Sequence, residues 1–466
     1  MDRPSEAVLK RMPLAEGVLL LWSWVASSTR LQGVWDRHRG RCYKKLLSFA
    51  FMVRLIADAL LQYGGSGRRS FEKTAARNEL PASVQAAFKK LARLPVAVSQ
   101  AFLGECTTAL RETFPLPSER KLPKSLREFR PCILDGKAIK KVAKRLQPLR
   151  GLTAGLLGGR ALVAMDWKTG MAVCMHAHPD GEANDVRFMP ELIPVVRQHI
   201  PGPRLYVADR AFCDLTQPVL FNEVAGDHFV VRYHRKVPFQ HDPQRPQRSG
   251  VDEQQRHFTE QWGWLGSEAN KKRRYVRRIE LQRPGKESII LVTDLLDAHR
   301  YPGVDLLWLY AERVGIEYLF QEVTEVFGLQ GLISSSPLGC IFQFAFCLLL
   351  YNMIQVVRAY VAQGQNREVE TISAEKLFDD VKREMIAWNI MVEEVATLDY
   401  FQAEPTLAEM LQRLAKLLGH SWSETWVKAP PQKNRPKSPA KVSSGRSHNS
   451  VYRILQENQK SKPPGP

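Results

Sequence analysis

Three carboxylates stand on separate stretches of this chain, each where a fold could carry it to a common point. Asp135 ends the apolar run Cys132-Ile-Leu, and Asp209 ends Leu205-Tyr-Val-Ala. Glu317 closes Leu309-Tyr-Ala-Glu-Arg-Val-Gly-Ile-Glu317, which reads as the start of an amphipathic helix. Carboxylate oxygens suit a hard cation such as Mg²⁺, which takes oxygen ligands in octahedral geometry and keeps some of its waters. Two such ions, about 3.5–4 Å apart, can activate an attacking oxygen and stabilise a leaving oxygen at a phosphodiester. Three acids hold the pair when one of them bridges. An isolated Asp at a strand end is more often a turn former, so the weight rests on the combination.

Tyr310, Arg313 and Glu317 fall at i, i+3 and i+7. On one continuous helix they stay within about 60° of one face. Leu319, Phe320, Val323 and Phe327 lie away from it, toward a core. Arg313 could meet a phosphate or hold a carboxylate in place, and Tyr310 could donate to a phosphate oxygen. The plain alternative is an internal Arg313–Glu317 pair at i, i+4.

The elements that must position these residues change character along the chain. Residues 1–125 read as helical, with helices over Arg41–Tyr63 and Ala82–Leu94, the second bracketed by Pro81 and Pro95. Strands are expected at Pro131–Leu134 and at Ala161–Trp167 and Met171–His176, the last two joined through Lys-Thr-Gly as a hairpin. Asn184 is placed to cap a helix over Asp185–His199, which Pro190 and Pro194 could split. Arg204–Ala208 is a strand, Asp214–Ala225 a helix and His228–Tyr233 a strand, so both early acids end strands of a mixed α/β sheet. Residues 236–289 break the pattern and read as a mainly β insertion, with strands at Tyr275–Leu281 and Ser288–Thr293. Leu306–Phe327 is the acidic helix, and the apolar Leu338–Val361 packs behind it. The expected organisation is a helical, DNA-binding region over 1–125, a core of 126–235 and 290–362, the insertion 236–289, a helical region 363–425 and a disordered basic tail 426–466.

Charge points to a polyanionic partner. The chain of 466 residues carries a net +19, and residues 428–466 hold nine Lys/Arg and one acid, leaving +11 on the rest. Neutralising phosphates releases counterions, which favours nucleic acid for such a surface. Lys137 and Lys140 follow Asp135 closely, and Lys271, Lys272, Arg273 and Arg274 open a basic block that could track a backbone. Seven scattered cysteines without a C-x-x-C spacing give neither a disulfide framework nor a zinc site, which suits a reducing cytoplasm. The apolar run 338–357 is long enough to span a bilayer, but Gln343, Asn352 and Gln355 favour a buried core helix, and no membrane partner is expected.

The ordered set Asp135, Asp209, Tyr310-x2-Arg313-x3-Glu317 resembles the DDE transposases of bacterial insertion sequences, in the group with a Tyr-Arg-Glu-Lys signature. The resemblance extends to Ala208-Asp-Arg-Ala-Phe212, Phe327-Gly-Leu, Ser336-Pro-Leu-Gly339 and Leu349-Leu-Tyr-Asn352, and spans roughly residues 130–360. It implies an RNase H-like sheet interrupted by the β insertion before the last catalytic helix. It also implies two Mg²⁺ ions, for which Mn²⁺ substitutes, held by Asp135, Asp209 and Glu317. Double-stranded DNA would be cut at element ends and joined through its 3′-OH, by a homodimer when two ends are paired. Arg210, Tyr310 and Arg313 then join the DNA-contact candidates. The chain departs from the signature at Thr324, where the family has Lys, at Val314 and at Ala211. Thr324 gives the competing expectation, a decayed or repurposed transposase that binds DNA without cutting it.

Overall fold

The structure is a computed structural model that describes residues 11–42, 46–391, 406–429 and 448–460. Helices α1 (Pro13–Val25), α2 (Ser28–His38), α3 (Phe49–Leu61), α4 (Gly67–Ala76), α5 (Val84–Leu91) and α6 (Val96–Glu112) open it. Ser27, Ser48, Ser66 and Ser83 each accept the N–H three residues on, which fixes where α2 to α5 begin. The helix expected from Arg41 therefore starts only after Ser48. Helix α1 has no side-chain cap of its own. Glu384, far along the chain, accepts the N–H groups of Leu14 and Ala15 at 2.9 and 3.0 Å instead.

Eleven strands follow: β1 (Arg130–Ala138), β2 (Gly155–Leu157), β3 (Arg160–Asp166), β4 (Met171–His178), β5 (Arg204–Ala208), β6 (His228–Arg232), β7 (Phe239–His241), β8 (Arg248–Val251), β9 (His257–Leu265), β10 (Arg274–Leu281) and β11 (Ile289–Thr293). The main sheet runs β4-β3-β1-β5-β6-β11-β10-β9-β7, with β8 on β9. β5 lies parallel to both β1 and β6, while β3 runs antiparallel to β1 and β4 antiparallel to β3, as a meander. This is the RNase H-like mixed sheet that the resemblance implied. Ile133 faces one hydrophobic cluster and Cys132 and Leu134 the other, so β1 is covered on both faces. Between the strands, Asn184 accepts the N–H of Val186 and opens a 3-10 turn that leads into α7 (Met189–His199). A short α8 (Thr216–Phe221) follows β5. The insertion strands do not form a separate body. They extend the same sheet through β11, which pairs with β6.

The single helix expected over Leu306–Phe327 is two: α9 (Gly303–Ala311) and α10 (Val314–Glu325). At the break, Arg313, Gly315 and Ile316 donate their N–H groups to Tyr310, Glu312 and Arg313, bonds of i to i−3 type that tighten the chain into a turn. Behind them runs α11 (Pro337–Gly364), whose most apolar 18-residue window is entirely buried. Its polar residues join neighbouring elements. Asn352 accepts from Ala172 N (2.9 Å) and donates to Ala172 O (2.7 Å) and Thr107 Oγ1 (2.9 Å). Gln343 does the same for Ile333 N and the carbonyls of Gly328 and Gly331.

Helices α12 (Ala374–Met391) and α13 (Leu407–Leu418) complete the helical layer. The tail expected to be disordered over 426–466 is ordered in part. His448–Ser450 form β12, parallel to β2, and lead into α14 (Val451–Lys460), whose Val451 is fully buried. The period of the apolar residues Val451, Ile454 and Leu455 explains this helix; the surrounding Pro, Ser and Lys obscured it in the composition. The rest of that tail, 430–447 and 461–466, lies outside the described residues.

Candidate active site

Asp135 does not end its strand as expected but lies within β1, one residue past the end of the parallel pairing with β5, because β1 runs on to Ala138 against β3; Asp209 follows β5. Ligand sites in such sheets form beyond the carboxyl ends of parallel strands. The α9–α10 turn delivers the remaining groups to the same place. Tyr310, at the end of α9, donates to Asp209 Oδ1 at 3.3 Å. Arg313, in the turn itself, approaches Asp135 Oδ2 at 3.6 Å with one nitrogen and hydrogen-bonds Glu317 with another. Tyr310, Arg313 and Glu317 are therefore brought to one site as the spacing predicted, although a turn replaces the uninterrupted helix. The i, i+4 pair and the shared site are both present.

The electrostatics are those of a crowded acidic pocket. Burial pushes the Asp135 carboxyl up to about 6; Glu317 and Asp209 add to the rise, against Arg313 and the N–H of Gly136. Burial and then Asp209 push the Tyr310 phenol up to about 12, keeping it a donor at neutral pH, while Arg313 and Arg232 act in the opposite sense. Arg313 is only 16% exposed and is the cation nearest these acids, whereas Glu317 is 51% exposed. Among the described residues no three His, Cys, Asp or Glu side chains stand close enough together to form a ready-made metal site. The three carboxylates nevertheless suit a hard divalent cation in donor type, and Arg313 already occupies the cationic place between Asp135 and Glu317.

Of the other candidates, Lys137 is half-buried, with Nζ 3.5 Å from Phe320 O and over the Phe320 ring; burial, then Lys140, lowers its pKa. Lys140 and Arg210 are exposed, one after β1 and the other directly after Asp209. Lys271, Lys272 and Arg273 occupy an exposed or half-exposed turn, and β10 begins only at Arg274. Arg273 lies over the Trp264 ring at 4.4 Å. A Cβ on Gly266 would meet the side chains of Leu215 and Arg273, so this turn stands beside the loop that follows Asp209. The basic block does not point one way, however. Arg277 is fully buried, bonded to Glu260 and to Tyr301 O, both at 2.6 Å. Thr324 turns its hydroxyl back onto Phe320 O at 2.6 Å, which satisfies it within its own helix.

Sequence reasoning passed over one group. Arg232 ends β6 and His234, Arg235 and Lys236 follow it; with Arg210 and Glu287 they line a cavity of ≈ 270 Å³. Ala208 pairs with Val231, so the next residues along these parallel strands, Asp209 and Arg232, are neighbours. Arg232 and Arg235 share Glu287 at 3.3 and 3.6 Å. His234 Nδ1 accepts from Lys236 N, which leaves Nε2 as the donor. A run of His-Arg-Lys at the end of an apolar strand was the available signal.

Residues 149–353 match the family model of the transposase DDE domain. The match supports a DDE transposase. It takes in Asp209, Tyr310, Arg313 and Glu317 and begins after Asp135. DDE domains of this kind generally use divalent metals, and DNA is what a transposase acts on. No curated protein is significantly similar in sequence. Among solved structures, a piggyBac transposase synaptic complex with hairpin DNA aligns over 89% of this chain and 78% of that one. The identity is 12% and the TM-score 0.33, too loose a likeness to establish a shared fold.

Proposed function

We propose that this chain is a transposase of the Tyr-Arg-Glu-Lys group that binds the terminal inverted repeats of its element, cuts phosphodiester bonds there and joins the freed 3′-OH to target DNA. The observation that carries this reading is the convergence of Tyr310 on Asp209 and of Arg313 on Asp135 and Glu317. Asp135, Asp209 and Glu317 would hold two Mg²⁺, with Mn²⁺ substituting. Bound there, such ions activate the attacking oxygen, first of water and then of the 3′-OH, and stabilise the leaving oxygen.

The chain's own residues orient the DNA. Tyr310 keeps its one phenolic proton, which it donates to Asp209 in the free chain and would turn to a phosphate oxygen when DNA enters. Arg313 exchanges a carboxylate for a phosphate when DNA enters. Arg210, Lys137, Lys140, the turn Lys271, Lys272 and Arg273, and Arg274 at the start of β10 line the approach, together with Arg232 and its neighbours. Residues 1–125 serve as the DNA-binding region, 126–235 and 290–362 as the catalytic core, 236–289 as its insertion, and 363–425 as a helical support. Synapsis of two ends makes the working form a homodimer, in the cytoplasm of a bacterium and on its nucleoid.

Thr324 favours a second reading, a repurposed transposase that binds DNA without cutting, since its hydroxyl is turned inward and carries no charge to a phosphate. Incubating the protein with the DNA flanking its gene, with Mg²⁺ or Mn²⁺, separates the two. Discrete cuts at an inverted repeat, absent in Asp209→Ala, support the transposase. Retarded but uncut DNA in both proteins supports the binding reading.

A further inference from the structure

The C-terminal β12–α14 segment sits nowhere near Asp135 in sequence, yet a series of contacts, continued through the short stretch of chain from Glu182 to Asp185, joins them. Ser450 N donates to Glu182 Oε1 at 2.8 Å, and Gly181 N donates to Ser450 Oγ at 3.1 Å. Arg453 reaches Asp180 at 2.8 Å and Glu182 at 2.5 Å. Burial alone would raise the Asp180 carboxyl, but Ser450, the N–H of Glu182 and Arg453 outweigh it and hold the group below the usual carboxylate range. The Tyr452 ring lies edge-on to His178, whose Nδ1 accepts from Asp180 N.

These bonds clamp the loop that follows β4. The loop presses on β2 so closely that a Cβ at Gly181 would overlap the Leu157 side chain. A few residues on, Asp185 takes an ion pair from Arg160 at 2.8 Å and fills the space where a Cβ of Gly136 would stand. Gly136 in turn donates its N–H to Asp135 Oδ1 at 2.8 Å. Chains of packed and hydrogen-bonded groups of this kind can carry coupling between distant sites.

We propose that the β12–α14 segment is a clip that positions Asp135, acting through the Asp180–Glu182 loop, Asp185 and Gly136. Arg453 and Asp185 are thus positioning residues, and neither touches the acidic cluster. The clip is releasable: Arg453 is 49% exposed, and one side chain of α14, Val451, is fully buried. The consequence for catalysis rests on the reading of Asp135 as a member of the active site.

The test is amide hydrogen exchange on the full chain, on a chain ending at Ser447, and on Arg453→Ala and Arg453→Lys. The proposal expects exchange at least about tenfold faster at 155–157, 181–186 and 136–138 in the truncated chain and in Arg453→Ala, with most protection restored in Arg453→Lys. It also expects kcat for DNA cleavage to fall at unchanged KM. Faster exchange confined to 155–157 and 181–182, with 136–138 as protected as before, would overturn it. If the unaltered protein cuts no DNA at all, the transposase reading fails while the exchange result still decides the coupling.

Discussion

Arg313 stands 3.6 Å from Asp135 and is bonded to Glu317, so one guanidinium spans the acids of a central strand and of a helix more than 180 residues away. It is a placeholder for positive charge, in a site where burial and like charges make Asp135 reluctant to ionise.

Replacing Arg313 with Gln removes that charge and leaves the acids to a metal alone. Divalent-cation affinity, measured by calorimetry without DNA, is expected to rise. DNA cleavage is expected to fall by about 10²-fold or more, because a preorganised donor to the phosphate is lost. Unchanged cation affinity would count against a shared site.

Asp135 sets a pH dependence. With its carboxyl at about 6, cation binding must release close to one proton below that pH, and affinity should fall about tenfold per unit as pH drops from 6 to 4. Stability carries the opposite sign. A raised carboxyl favours the fold below its ordinary pKa and loses that contribution as pH rises through about 6. Asp135→Asn should therefore stabilise the metal-free protein at pH 8, by roughly 1–3 kcal/mol, and hardly at pH 4. Urea melts at the two pH values check this.

Glu384 makes a second pH-sensitive junction. Burial pushes it up to about 7, against the two N–H groups of α1 that it accepts. Its contribution, too, fades as pH rises through that value. Glu384→Ala leaves Leu14 and Ala15 unpaired and is expected to cost about 1–2 kcal/mol in denaturant melts.

Asn352→Leu keeps the branched shape and heavy-atom count, though not the volume, and strands three partners, Ala172 N, Ala172 O and Thr107 Oγ1. The expected loss is about 2–4 kcal/mol in the same melts. A loss under half a kcal/mol would mean that the helix and sheet do not depend on this junction.

Thr324→Lys restores the charge of the family signature. DNA affinity should increase, and the slope of log affinity against log salt should steepen by about one, the signature of one added phosphate contact. An unchanged slope would place position 324 away from the DNA.

The sequence alone determined the alternation of apolar strands around Asp135 and Asp209, the Lys-Thr-Gly hairpin, the Asn184 cap and the burial of the long apolar run that starts at Leu338, because these follow from local pattern and from short-range backbone chemistry. It also brought Tyr310, Arg313 and Glu317 to one site by spacing, but as a continuous helix. Tertiary structure decided that the chain turns at Glu312–Arg313, since aiming Tyr310 at one strand and Arg313 at another requires a break that no local propensity announces. It decided that Arg277 is a buried partner of Glu260 while its neighbours in the basic block are not, because facing and burial depend on the strands alongside. It placed Arg232 beside Asp209 and seated the last helix against the Asp180–Glu182 loop. Those relations join residues distant along the chain, and long-range register and packing are what a local pattern cannot carry.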